Sequence, residues 1–284
     1  MRVDVLTKKA AGRLAAQHLA TPFLDAETLL AHVLGHPRVH LLSHPEMDVP
    51  GPITRRYARL IAFRLRGRPV AYLTGEKEFF GLPLAVDRHV LVPRPETESV
   101  VETALALLPG KQRVRYADIG TGAGGIAIAL ARHRTGAVVS AVDRSAGALK
   151  IARRNAKKMG AKIAFSKGNL LEPLRRSAMD VLVANLPYLP SGERNNAAKT
   201  LRHEPQRALW SGRDGLNCYR RLLSQLAERR QRPRYVVCEL RADQQQKFLA
   251  VAYRRLGRCR AIPTAAGGGI VVLTLDLARP VPKG

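Results

Sequence analysis

The sequence is poor in several features, and each shortage excludes a class of protein. Three cysteines in 284 residues, with no CxxC pair among them, exclude a disulfide scaffold and indicate reduced thiols. No run approaches the ~18 uncharged apolar residues of a membrane-spanning helix. The basic N-terminus lacks an apolar signal region, so we expect a cytoplasmic protein with no membrane partner. We also predict no metal site, because no HExxH motif accompanies the unpaired cysteines.

Acidic residues are the second shortage. The chain has 22 Asp and Glu against 48 Lys and Arg, which gives a formal net charge of +26. Such an excess does not define a fold, but it attracts polyanions and predicts contact with RNA or the ribosome surface. Hydrophobic residues make up 46% of the chain and charged residues 25%, a globular composition that excludes a disordered chain.

The N-terminal part is predicted to be helical, and a linker follows it. Phe23–Leu34 places apolar residues on one face of a helix, and a second amphipathic stretch surrounds Tyr57. We therefore predict a helical bundle over residues 1–75. Over residues 76–98 we predict a hairpin or extended linker, with short strands in Phe79–Leu84 and Val86–Val92. The proline-flanked Arg94 then leads into a helix over 99–108.

Beyond Pro109 the pattern alternates between strand and helix, which predicts a domain of the α/β class over residues 99–284. This order predicts a doubly wound, Rossmann-like parallel sheet with an antiparallel end. The predicted strands are 113–118, 137–143, 162–166, 180–184, 235–239, 258–262 and 270–275, and the predicted helices are 125–134, 146–158, 216–230 and 243–256.

A glycine loop connects the first of these strands to its helix. Gly120, Gly122 and Gly125 satisfy GxGxxG, and Gly124 completes GxGxG, so the loop suits either a dinucleotide or another nucleoside cofactor. Asp143 ends the next strand, where a carboxylate accepts hydrogen bonds from ribose hydroxyls. Both cofactor classes need that carboxylate, so it does not discriminate between them.

The fourth strand ends in the segment Asn185-Leu186-Pro187-Tyr188, which favours methyl transfer to an amino group. The lone pair of a planar NH2 group is delocalised, so the nitrogen must be oriented towards its electrophile. The Asn185 side-chain oxygen and the Leu186 carbonyl offer two acceptors for its N–H bonds. Tyr188 supplies an aromatic face for a planar amide or base.

These motifs resemble the HemK/PrmC family, the N5-glutamine methyltransferases that modify the GGQ loop of peptide-chain release factors. The proline-rich Pro93–Glu98 stretch combined with the Asn185–Tyr188 motif is a narrower signature than the glycine loop. The resemblance covers almost the whole chain and is carried by Leu24–Gly35, Gly67–Glu76, Phe79–Gly81, Leu91–Glu98, Asp118–Gly124, Asp143, Asn185–Tyr188, Glu204–Leu209 and Asp214–Leu216.

The resemblance implies a role in substrate recognition for the helical bundle over residues 1–75, and it implies roles for individual residues. It implies catalytic roles for Asn185, Pro187 and Tyr188. Substrate binding is implied for Asn185, Leu186, Pro187, Tyr188, Arg94, Glu96 and Thr97. Contacts to S-adenosyl-L-methionine are implied for Gly120, Thr121, Gly122, Ala123, Gly124, Asp143, Asn169, Leu170 and Asn185.

The chain departs from the family pattern at two of these positions. The family usually has proline where Leu186 stands and often has an acidic residue where Asn169 stands. We expect activity to survive Leu186, because the useful group there is a backbone carbonyl. We expect Asn169 to weaken cofactor binding.

Three other functions fit parts of the pattern. Methylation of an exocyclic amine, adenine N6 in RNA or DNA, suits the Asn185 motif and the basic charge. A non-catalytic RNA-binding protein would keep the fold without binding the cofactor. An NAD-dependent oxidoreductase comes last, because no His, Lys or Tyr-x-x-x-Lys arrangement offers a proton donor for hydride chemistry.

Overall fold

A computed structural model describes residues 1–110, 112–257 and 259–278 of the chain. These residues form two compact units: Met1–Glu76 with Ala197–His203, and Lys77–Asn196 with Glu204 and the residues after it. The domain limits predicted from the sequence, and the substrate-recognition role of the first domain, stay predictions. No helix in the described ranges is long and apolar enough to cross a membrane.

The first unit is a group of helices around one apolar cluster. Its helices are α1 (Val3–Ala15), α2 (Pro22–Leu34), α3 (Arg38–Ser43), α4 (Gly51–Leu65) and α5 (Val70–Thr74). Leu14, Leu29 and Ile61 are buried in the cluster. A buried ion pair, Arg64 Nε to Asp25 Oδ2 at 2.7 Å, joins α4 to α2. The amphipathic stretches predicted around Phe23–Leu34 and Tyr57 are therefore helices.

Three histidines of this unit follow one another at four-residue intervals. The rings of His36, His40 and His44 stack with centroid separations of 4.4 and 4.3 Å. The sequence prediction overlooked this spacing when it considered metal ligands. Among the residues that the structure describes, no group of three His, Cys, Asp or Glu side chains could hold a metal ion.

The second unit begins with a two-stranded hairpin, which lies earlier than predicted. Its strands are β1 (Glu76–Phe79) and β2 (Leu82–Ala85), and the predicted strand over 86–92 is wrong. Phe80 and Gly81 both have positive φ, 52° and 70°, which closes a tight turn between the strands. The chain then turns at Asp87, whose carboxylate accepts the His89 N–H at 2.9 Å. This side-chain hydrogen bond stabilises a turn in place of strand pairing.

The doubly wound sheet is confirmed. Its strand order is β5-β4-β3-β6-β7-β9-β8, parallel from β5 to β7 and antiparallel at the end. Apolar clusters cover both faces of the sheet. The strands are β3 (Arg115–Ile119), β4 (Val138–Asp143), β5 (Ile163–Lys167), β6 (Val181–Ala184), β7 (Tyr235–Arg241), β8 (Arg260–Gly267) and β9 (Ile270–Asp276).

Helices connect these strands close to their predicted positions. The predicted strand 258–262 is replaced by the longer β8, and Arg258 lies outside the described residues. Residues 279–284 of the predicted domain lie outside them as well. The helices are α6 (Glu98–Ala106), α7 (Gly125–His133), α8 (Ala146–Lys158), α9 (Asn217–Ala227) and α10 (Gln245–Leu256).

Candidate active site

A cavity of about 700 Å³ opens at the carboxyl edge of the sheet in the second unit. Gly120, Asp143 and Asn185 each follow or end a strand, and all three line the cavity. β3 lies between β4 and β6, where the strand order reverses. Ligands of open α/β sheets bind in the crevice at such a reversal. The fold thus brings three separately predicted segments to one place.

The glycine loop turns sharply between β3 and α7. Gly120, Gly122 and Gly124 have φ of 79°, 55° and 87°, a region that side chains disfavour. The Gly120 and Thr121 N–H groups donate to the Val142 carbonyl at 2.8 and 3.0 Å. Gly120 and Gly122 line the cavity, whereas Thr121, Ala123 and Gly124 are buried and do not appear in its wall.

Asp118 fastens this loop from within the core. Its Oδ2 atom accepts the Thr121 hydroxyl at 2.6 Å and the Ala127 N–H at 3.2 Å. Its Oδ1 atom is buried and has no hydrogen-bond partner among the described residues. Burial raises the pKa of the Asp118 carboxyl to about 7. Asp118 therefore holds the loop without facing the cavity.

Asp143 faces the cavity from the end of β4. Its two oxygens accept the Gly122 N–H at 3.0 Å and the Ser145 N–H at 2.8 Å. Burial raises the pKa of the Asp143 carboxyl, against the lowering effect of these hydrogen bonds. Each carboxylate oxygen can accept more than one hydrogen bond, so ribose hydroxyls still have acceptors here.

Asn169 and Leu170 complete this side of the cavity wall. The Asn169 Nδ2 atom donates to Glu172 Oε1 at 3.0 Å. Leu170 has a φ of 56°, which the Gln225 side chain supports by accepting the N–H of the next residue, Leu171, at 2.8 Å. Both residues therefore line the same cavity as Gly120 and Asp143, and their contact with the cofactor stays a prediction.

Asn185, Leu186 and Pro187 form the wall on the other side. The Asn185 Nδ2 atom donates to Thr97 Oγ1 at 2.8 Å, so the amide presents its oxygen away from Thr97. The Leu186 N–H donates to the Tyr219 hydroxyl at 3.3 Å, a bond that proline at this position could not form. Thr97, for which the resemblance implied substrate binding, does not line the cavity and orients Asn185 from behind its wall.

Tyr188 is held at both ends and does not line the cavity. Its hydroxyl donates to Glu239 Oε1 at 3.1 Å, and its carbonyl accepts the Gln244 Nε2 atom at 2.7 Å. Burial raises the pKa of the phenol, and the nearby Glu239 charge raises it further. Neither Glu239 nor Gln244 was among the predicted site residues. The position of Glu239 at a strand end was the available signal.

Arg94 and Glu96 lie beside this group but outside the cavity wall. Glu204 is 3% exposed and accepts the Val92 N–H at 2.9 Å and an Arg94 guanidinium N–H at 2.5 Å. Glu96 Oε2 is buried without a hydrogen-bond partner in the described ranges. Glu204 thus anchors the proline-rich segment. The resemblance included the segment Glu204–Leu209 but implied no role for Glu204.

Two segments of the chain match known family profiles. Residues 6–75 match the PrmC N-terminal domain, and residues 101–214 match the methyltransferase small domain. Among solved structures, the hMettl16 catalytic domain in complex with MAT2A 3'UTR hairpin 1 superposes with a TM-score of 0.57 at 18% identity, over 87% of this chain and 88% of that one. At this identity the likeness supports the Rossmann-like methyltransferase fold alone.

Curated relatives are much closer in sequence. The release factor glutamine methyltransferase of Moorella thermoacetica is 38% identical over 91% of this chain and 93% of its own. The enzyme of the same name from Neisseria gonorrhoeae is 40% identical over 78% of this chain and 82% of its own. These relatives cover 78% and 91% of the chain at 38 to 40% identity, so this protein belongs to the release factor glutamine methyltransferase family.

Proposed function

We propose that the protein methylates the side-chain amide nitrogen, N5, of the glutamine in the GGQ motif of a peptide-chain release factor, with S-adenosyl-L-methionine as methyl donor. The observation that carries the proposal is the orientation of Asn185. Because Thr97 accepts from Asn185 Nδ2 at 2.8 Å, the Asn185 oxygen is left to accept an N–H bond of a substrate amide. A cytoplasmic location follows from a substrate that acts in translation.

The residues at the cavity suit this cofactor. Gly120 and Gly122 let the backbone approach a ligand, and the Asp143 carboxylate suits a ribose. Because the Asn169 Nδ2 atom already donates to Glu172, the Asn169 side chain offers the adenine its oxygen, which is an uncharged acceptor. We expect weaker cofactor binding than a carboxylate at this position would give. When bound, S-adenosylmethionine supplies an electrophilic methyl on sulfur, and the sulfur leaves as a neutral thioether as the C–N bond forms.

The protein contributes mainly by positioning. The Asn185 oxygen and the Leu186 carbonyl accept the two N–H bonds of the glutamine amide and direct its nitrogen. Both acceptors also stabilise the positive charge that develops on that nitrogen. The methylated amide then releases its extra proton to solvent, so no strong base is required.

Labelled-methyl transfer tests the proposal. Purified release factor and total RNA are offered in parallel with labelled S-adenosylmethionine. Label on the release factor, abolished when the GGQ glutamine is replaced, is the expected result. Label on RNA alone would overturn it in favour of adenine N6 methylation, and the absence of both label and cofactor binding would favour a non-catalytic RNA-binding protein.

We also propose an RNA contact on one surface of the second unit. Between Asp143 and Glu172 the chain carries eight Lys and Arg residues and no Asp or Glu. Five of them belong to α8, where like charges three and four residues apart repel one another. Arg144, at one end of this basic segment, lines the cavity. Protein interfaces are depleted in lysine, so a phosphodiester backbone suits this surface better than a protein partner does.

A further inference from the structure

Glu239 is a buried carboxylate of β7 next to the Asn185–Tyr188 motif. It is 1% exposed. Its Oε1 atom accepts the Tyr188 hydroxyl at 3.1 Å. Its Oε2 atom is buried and has no well-formed hydrogen bond in the part of the chain that the structure describes. A charge in this position lowers the stability of a fold unless other groups compensate it.

The side chains of Thr97 and Asn185 also approach this carboxylate. Both are near enough to lower the pKa of Glu239 by hydrogen bonding, although burial dominates and raises that pKa overall. Asn185 Nδ2 in turn donates to Thr97 Oγ1 at 2.8 Å. One carboxylate therefore adjoins three side chains of the motif region: Thr97, Asn185 and Tyr188.

A carboxylate is an acceptor only, and this property selects one orientation of the neighbouring amide. The orientation in which the Asn185 NH2 group faces Thr97 and Glu239 is favourable, because this group can donate. The opposite orientation would place the amide oxygen next to the carboxylate oxygens, which would repel it. A flipped Asn185 would present two N–H donors to the N–H bonds of the substrate amide and could not bind it. The Tyr188 ring is restrained in the same way through its hydroxyl.

We propose that Glu239 is a positioning residue, which fixes the Asn185 amide and the Tyr188 ring for methyl transfer. This inference rests on the proposed function, and it assigns to one buried charge the orientation of the Asn185 acceptor and of the Tyr188 ring. The buried charge then lowers the stability of the fold but serves catalysis, as destabilising groups in active sites often do.

The ionised form of Glu239 is the one that can orient these groups. The groups that face it are Glu96 and Thr97 before α6, Asn185 and Tyr188 after β6, and Tyr219 on α9, whose hydroxyl donates to the Glu239 carbonyl at 2.5 Å. The negative charge of Glu96 adds to the effect of burial on the pKa. Turnover should therefore fall on the acid side as Glu239 takes up a proton.

The test compares Glu239→Gln with wild type in labelled-methyl transfer to the release factor. We expect kcat to fall about 100-fold, the scale of a misplaced orienting group, while the Kd for S-adenosylmethionine changes less than about threefold. The thermal midpoint should stay equal or rise, because a buried charge is removed. The acid limb of the kcat profile should disappear in the variant. Glu102→Gln, at an exposed carboxylate of α6, serves as the matched control and should behave as wild type.

A double variant separates positioning from a general structural role. In an Asn185→Ala background, Glu239→Gln should cost much less than it does alone, because its effect passes through Asn185. Wild-type kcat in Glu239→Gln overturns the inference, and so does a parallel loss of thermal stability and cofactor binding. Wild-type protein that leaves the release factor unlabelled contradicts the proposed function instead, and the inference with it.

Discussion

The two sides of the cavity are built in different ways. On the side formed by Gly120, Asp143 and Asn169, hydrogen bonds run between loops of neighbouring strands, such as Asp143 to Gly122 at 3.0 Å. On the side formed by Asn185, Leu186 and Pro187, the contacts to this segment and to the following Tyr188 come from Thr97, Glu239 and Gln244, all distant in sequence. Apart from Gln225, which binds Asn169 and Leu171 from distant positions in the chain, the first side is held by contacts between neighbouring strand ends. The second side is held by residues from distant parts of the chain.

The charges of the two sides differ as well. Exposed cations of α8 flank the first side, whereas buried carboxylates, Glu96, Glu204 and Glu239, lie behind the second. Buried anions orient donors such as N–H and O–H groups, while exposed cations attract polyanions over longer distances. The proposed function therefore assigns cofactor binding mainly to the first side and orientation of the reacting amide to the second.

The largest effect is expected from Asn185→Ala. The variant removes the oxygen that directs the substrate amide, so we expect turnover to fall by about 100-fold or more. Its fold should persist, because Asn185 lies at the cavity wall and is not part of the core. Single-turnover methyl transfer measures the effect, with Asn195→Ala at an exposed position as control. Turnover near the wild-type rate would contradict the mechanism.

Replacement of Asp143 by alanine should affect binding more than turnover. The variant loses both the predicted ribose acceptor and the hydrogen bonds to Gly122 and Ser145. The loss of one hydrogen bond between the ribose and this charged group, about 1.5 to 3 kcal/mol, corresponds to about 10- to 100-fold in the Kd for S-adenosylmethionine. Calorimetry measures it, with Asp48→Ala at an 83% exposed carboxylate as control. A change confined to kcat would remove the distinction between the two sides.

Local patterns explain why the first side could be predicted in more detail. Gly120 and Asp143 follow from strand ends and glycine spacing alone, and the alternation of strands and helices predicted the parallel sheet with its antiparallel end. The hairpin was misplaced because positive φ at Phe80 is not visible in alternating apolar residues. The partners of Tyr188, Glu239 and Gln244, are 51 and 56 residues away, and no local pattern indicates such contacts.

Asp118→Asn tests the anchor beneath the first side through its pH dependence. Since burial raises the pKa of Asp118 to about 7, the folded state holds its proton more tightly than the unfolded chain does. This contribution to stability is complete below about pH 4 and is lost as the pH rises to about 7. The unfolding free energy of wild type should therefore decline across this window relative to the variant, by an amount on the order of a few kcal/mol.

Urea unfolding at a series of pH values measures this difference between Asp118→Asn and wild type. Asparagine keeps an oxygen that can accept from Thr121 and Ala127, so methyl transfer at neutral pH should change less than about threefold. A difference in unfolding free energy that is the same at all pH values would show that the pKa of Asp118 is not raised in the folded state.

The smallest effect on methyl transfer is expected from the surface outside the cavity. In Arg154→Glu combined with Lys157→Glu, both changes are at exposed positions of α8. A plot of log K for RNA binding against log salt concentration has a slope to which each phosphate contact contributes roughly one unit. We expect the variant to lower the size of this slope by about two units. Arg254→Glu with Arg255→Glu on α10 makes the same charge change elsewhere and is the matched control. Equal losses in both pairs would mean that the net charge of +26 acts as a whole, and a loss confined to α8 would place the RNA contact beside the cofactor side of the cavity.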